Sequence, residues 1–274
     1  MNFRPLTLVS ATLFLLFATL GWSQQNDTSN DSSTQSQPQT ETKPEKTTPR
    51  AKFDKPQSSQ EPDVVKRLDT SANVLTEIMN TKDKGIPRKI LSDARCMIVI
   101  PSMVNIAVGF GGRHGKGFAT CRTTNSAENG WSAPAPVTIT GGSWGLQLGG
   151  QAIDLVMLVM NQKGMDHLLS DKFKIGAEAT GAAGPVGRQV EGDTDWKMKA
   201  EILTYSRARG LFAGIDLNGA VLKQDKDETA VLYSKILPFQ TVLAGKVEAP
   251  ASSRSFLATV KKYSAEAQET KEGE

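Results

Sequence analysis

Gly141-Gly142-Ser143-Trp144-Gly145 spells G-x-S-x-G, the pattern that presents a nucleophilic serine on a sharp strand-to-helix elbow. The surroundings do not supply the rest of that device. Ser143 is followed by alternating Leu146 and Leu148 and then a long β-type run, and the one later histidine, His167, sits in a polar helical turn directly after Asp166. Asp154, Asp193, Asp195 and Glu201 read as turn and surface carboxylates, so no acid, base and nucleophile converge and the expectation is a protein that is not an enzyme. Two cysteines and two histidines without CxxC or HxxxH spacing give no metal site, and no cofactor is expected.

The segment Gly109 to Gly117 (GFGGRHGKG) offers a different chemistry. Glycines let backbone N–H groups approach an anion, and Arg113 and Lys116 add charge. A dinucleotide fingerprint would need glycine where His114 stands, and a P-loop would need Ser or Thr where Gly117 follows Lys116. The local reading is a tight hairpin turn whose cationic tip, with His114 exposed on it, suits a phosphate-bearing headgroup. A second basic site comes from Thr204 to Gly219 (TYSRARGLFAGIDLNG), which sets Arg207 and Arg209 at a turn around Gly210. Arg113, Lys116, Arg207 and Arg209 are therefore the candidate headgroup-binding residues.

The whole chain says where such a site would work. An apolar run from Leu6 to Leu20 follows Arg4 and ends at Gly21 and Ser23. At about 15 residues it falls short of the roughly 20 that cross a bilayer, so residues 1–23 read as a cleavable signal peptide and the protein as exported, periplasmic or extracellular. Residues 24–61 are Ser, Thr, Gln, Asn, Pro and Lys with almost nothing to bury, a disordered polar linker by composition. Residues 62–245 form one globular domain, and 246–274 a C-terminal helix or tail. The chain holds 32 Lys and Arg against 29 Asp and Glu, so no global field draws it to nucleic acid. In an oxidising compartment Cys96 and Cys121 are expected to pair as a disulfide.

The elements that must position these residues follow from periodicity. Val64, Val65, Leu68, Ala72, Leu75 and Met79 recur at helical spacing behind Asp63, and Pro87 opens a short second helix ending at Ala94. From Cys96 the period shifts toward two, in runs at 97–100, 104–110, 116–122, 137–140 and 144–160, the last including the doubly covered LVMLVM of Leu155 to Met160. Later runs follow at 173–177, 199–206, 211–217 and 220–223, with Gln162 to Ser170 the clear helix between them. Strands and helices do not alternate, which predicts an α+β, β-rich domain: a strongly curved or closed antiparallel sheet with N-terminal helices packed on it. Phe256, Val260, Tyr263 and Ala267 share one face of a C-terminal helix that either packs on the domain or lies on a surface.

Taken in order, Ile86 to Pro101 (IPRKILSDARCMIVIP), Gly109 to Arg122, Trp131 to Asp154, Gly184 to Asp195 and Thr204 to Gly219 resemble successive blocks of the SYLF family, across about Val64 to Lys235. The resemblance implies a lipid-binding module, so the expected partner is an anionic phospholipid membrane surface. The family's association with actin-patch proteins is not expected to carry over to an exported chain. The alternative is an envelope scaffold, or a domain that encloses an apolar ligand in its curved sheet and acts through protein partners.

Overall fold

The structure is a computed structural model that describes residues 61–81, 85–123, 130–170, 172–185, 200–208, 211–212, 215 and 217–272, by backbone alone at 107–110, 143–149, 211–212 and 270–272. Of the signal and linker expected at 1–61, residues 1–60 lie outside the described residues, as do Arg209, Asp193 and Asp195, while Glu61 already belongs to the first helix.

Two strands dominate. The runs at 97–100, 104–110 and 116–122 are one strand, β1 (Cys96–Cys121), and those at 137–140 and 144–160 are a second, β2 (Ala135–Val159). They pair antiparallel along their whole length, from Cys96 opposite Val159 to Ala119 opposite Ala135. The sequence reading placed a hairpin turn at Gly109–Gly117; that segment is instead strand interior, paired with residues 137–145. The glycines bend the ribbon rather than reverse it, helped by register shifts between Ile100 and Met103 and between Ala107 and Gly109. A straight strand of this length would span about 80 Å. In β1 the Cα atoms of Cys96 and Cys121 lie 3.9 Å apart, joined by a disulfide.

That closure forces the two halves of β1 across each other. At Gly117 an added Cβ would sit 2.0 Å from the carbonyl oxygen of Val99, so no larger residue fits the crossing. Beside the disulfide, Arg122 N–H donates to the carbonyl of Arg95 at 2.7 Å.

Shorter strands extend the ribbon into a seven-stranded sheet. β5 (Ile202–Ala208) pairs antiparallel with the C-terminal half of β2, and β7 (Val221–Gln224) with its N-terminal half. β3 (Lys172–Lys174) lies on β7 and β6 (Leu211–Phe212) on β5, while β4 (Gly181–Ala183) runs parallel to β5. The curled, mainly antiparallel sheet with helices is the expected architecture, and the parallel β4–β5 pair departs from the sequence reading.

Strand alternation sends side chains into two apolar layers. Leu155, Met157 and Val159 enter the curl, with Ile98, Ile100, Ile139, Ile202 and Phe239. Val156 and Leu158 face the other way, with Met97, Val99 and Leu203, against the helices. LVMLVM is thus covered on both faces. Helix α1 (Glu61–Met79) buries Leu68, Leu75 and Ile78 completely, each worth about 1.5–3 kcal/mol, which anchors a helix that would be marginal alone. Helices α2 (Arg88–Asp93) and α3 (Gln162–Leu168) stand where periodicity puts them. Two more, α4 (Lys226–Tyr233) and α5 (Phe239–Leu243), were not read from the sequence. The C-terminal helix α6 (Arg254–Glu272) packs on α1 and α2 and buries Phe256, Val260, Tyr263 and Ala267.

Candidate functional site

Lys116 lies on β1 opposite Thr138 of β2. Its ammonium is 2.8 Å from Asp225 Oδ2 and 3.0 Å from Glu228 Oε1. Asp225 caps α4, accepting from the backbone N–H of Glu228 at 3.0 Å and from the Thr138 hydroxyl at 2.8 Å. Arg67 of α1 completes the group, donating to both oxygens of Glu228 at 2.6 Å. Burial pushes the Lys116 pKa down, but hydrogen bonds and charge from Asp225 and Glu228 outweigh it and leave it raised. Burial likewise pushes Asp225 up, and the Glu228 N–H, Lys116 and Thr138 together bring it below the ordinary carboxylate value. Two cations and two carboxylates thereby tie β1, β2, α1 and α4 together.

Arg207, on β5, pairs with Asp154 of β2 at 3.0 Å and with Glu77 of α1. The other Asp154 oxygen accepts from the N–H of Ser102, a residue held at φ 50 within the first register shift of β1. Neither Lys116 nor Arg207 shares a partner with the other. Arg113 is half-buried opposite Gly141 and, three positions from Lys116 along a strand, faces the opposite side of the sheet. The cations named from sequence therefore do not gather into one constellation among the described residues.

Beyond the ion pairs of Lys116, toward Gly112, the ribbon is open on the same side. Gly112, His114 and Lys116 stand opposite Gly142, Thr140 and Thr138. Gly112, His114 and Gly142 are exposed, and a Cβ at Gly142 would meet nothing within 4 Å. His114 is exposed as expected, on a strand rather than a turn.

Other expectations resolve as follows. Ser143 pairs with Gly111 inside β2 and is not at a strand-to-helix elbow. Glu201 is not a surface carboxylate: it is 3 % exposed and takes Lys163 at 2.7 Å and the Thr180 N–H at 3.3 Å. Burying that charge is tolerable because α3 brings Lys163 to it. The interior of the curl is filled by side chains, and an apolar hollow of ≈ 320 Å³ lies instead by β4, lined by Ile175, Ala182, Ile215 and Leu217. Arg67, Asp225 and Glu228 escaped the sequence reading. The legible signal was Asp225-Lys226-Asp227-Glu228, a helix-capping pattern whose first and last carboxylates also receive Lys116.

Comparison with known proteins places this architecture. The Ysc84 family, described as Las17-binding protein actin regulator, matches residues 140–263, from β2 into α6. The chain is 30 % identical over 175 residues to SH3 domain-containing YSC84-like protein 1 of Rattus norvegicus, covering 64 % of this chain and 50 % of that protein. The human protein of the same name is 28 % identical over 175 residues, with the same coverage. Protein YSC84 of Saccharomyces cerevisiae is 24 % identical over 178 residues, covering 64 % of this chain and 37 % of that one. The chain thus spans about half the length, or less, of the curated relatives it matches. With the blocks in order along a curled sheet and its helices, these matches support assigning the domain, matched by the family model at residues 140–263, to the SYLF family, the family of the Ysc84-like proteins.

Proposed function

We propose that this domain is a non-enzymatic lipid-binding module that engages anionic phospholipid headgroups at a membrane or envelope surface, outside the cytoplasm. Similarity to this family supports a role related to membranes and lipids or to actin patches. The observation that carries the headgroup reading is the open strip of Gly112 and His114 against Gly142, where exposed side-chain-free backbone lies beside an imidazole and next to the half-buried, ion-paired Lys116. Such a surface admits a phosphate close to the strand. No described helix is long and apolar enough to cross a membrane, which suits attachment from one side. The relatives' association with Las17 and actin, stated in the family's description, is not carried over, because a chain with this N-terminal sequence is read as exported.

Attraction here is modest, since Lys116 and Arg207 are already matched by carboxylates and each additional exposed cation near an anionic surface contributes about 1 kcal/mol. Vesicle sedimentation tests the reading. The protein should pellet with phosphatidylglycerol vesicles and much less with phosphatidylcholine vesicles. Salt should release it, because exposed charges are screened over about 8 Å at physiological ionic strength. Replacing Arg113, Lys116, Arg207 and Arg209 together with Gln should weaken binding; a thermal melt of the same variant separates lost binding from lost folding, since two of the four hold ion pairs of the fold. Equal binding to both vesicle types would overturn the proposal.

A further inference from the structure

Val104 and Ile106 are 44 % and 54 % exposed, two of three large apolar side chains that stand out among the described residues. They are neighbours on one face of β1. Their partners across the ladder are Ala152 and Gly150, also exposed, and too small to cover them. The opposite face at the same level is core, where Met103 and Ile153 are buried in the curl. The exposed face belongs to the side of the sheet that carries Val99 and Val156 beneath the helices. The cover reaches Arg207, which Glu77 near the end of α1 holds, while Val104 and Ile106 beyond it stand exposed.

The surrounding sequence is as unusual as the exposure. No charged residue lies between Arg95 and Arg113, and none between Glu128 and Asp154. Both strands of the ribbon are thus uncharged through this whole region, and charge resumes on β1 at Arg113, next to the open strip of Gly112 and His114. A face meant for another protein draws specificity from a polar rim. A face meant for hydrocarbon must exclude charge, which is costly in lipid, and must satisfy its backbone. The ladder pairing residues 103–107 with 149–153 does the latter along one edge of β1.

We infer that Val104 and Ile106, standing over Ala152 and Gly150, are the element that enters the acyl-chain boundary of a phospholipid bilayer while the Gly112–His114 strip meets its headgroups. This rests on the reading of the domain as a bilayer-binding module and says how it holds on. Two positions along a strand span about 7 Å, so the insertion is shallow, within the 5–10 Å typical of interfacial elements.

The test uses the mature chain with Ile106→Cys, labelled with an environment-sensitive NBD dye; the native cysteines are joined and do not react. On phosphatidylglycerol vesicles the emission should rise and shift to the blue, and lipids brominated on the acyl chain should quench it. The same dye at Ala177→Cys, an exposed turn residue, reports position-independent changes. The Val104→Ser/Ile106→Ser variant should partition about tenfold more weakly while still melting cooperatively within a few degrees of the parent, both side chains being about half exposed. If the protein pellets with the vesicles but the dye at 106 stays in water, or the double variant partitions like the parent, insertion is wrong while headgroup binding stands. If the parent does not pellet at all, both fall. If ultracentrifugation shows a dimer that the double variant loses, the face joins two copies and the inference is overturned.

Discussion

Lys116 illustrates how a residue chosen for charge can be committed to structure. The strand carries it to within 3.0 Å of two carboxylates of α4, one of which also holds Arg67. Asp225 has a folded pKa below its unfolded one, so its contribution is present above about pH 4 and fades as pH falls through the folded value. Lys116 has a folded pKa above its unfolded one; its contribution is complete below about pH 10.4 and fades as pH rises through the folded value. Lys116→Met should therefore cost about 1–2 kcal/mol near neutrality, a loss tempered by the partial exposure of the lysine. The difference from wild type should shrink at acid and alkaline extremes. Thermal melts across pH measure this, and identical stabilities at pH 7 would show that the cluster contributes nothing.

At the scale of the element, β1 is the unusual feature. A strand of 26 residues whose ends meet stores its geometry in bulges, glycines and one covalent bond. Gly117 permits the crossing, and the disulfide closes it. With the cysteines 25 positions apart, the chain-entropy account gives about 3 kcal/mol of stabilisation. The Cys96→Ala/Cys121→Ala variant should melt lower by about that free energy while keeping its fold, since both layers of apolar contacts remain. Thiol labelling of unreduced, denatured protein should find no reactive cysteine; quantitative labelling would mean that the curl is held by packing alone.

For the whole molecule, the core begins at α1, which buries Val64, Leu68, Ala72 and Leu75 against the sheet and α6. Residues 24–60 contain no aliphatic side chain larger than alanine and only Phe53 among aromatics. A chain starting at Glu61 should then melt as cooperatively as one starting at Gln24, because such a segment cannot bury enough to offset its ordering entropy. Calorimetry on the two chains decides, and a large loss of melting temperature in the shorter one would show that the polar segment packs on the domain.

What could be read from residues alone is what local physics controls. Helical spacing identified α1 and the buried face of α6, the six apolar residues from Leu155 identified a strand covered twice, and the resemblance of ordered blocks identified the family. Glycine was read correctly as a sign of curvature but wrongly as a turn at Gly109–Gly117, because a glycine run permits both a reversal and a bent strand, and only long-range pairing with residues 137–145 selects between them. The roles of Lys116, Arg207 and Glu201 were likewise beyond reach. Their partners come from elements 21 to 130 positions away, so whether a charge faces water or another charge was settled by tertiary packing. The exposure of Val104 and Ile106 has the same origin: their alternation marks a strand face, while how far the helices extend over that face depends on where the sheet curls beneath them.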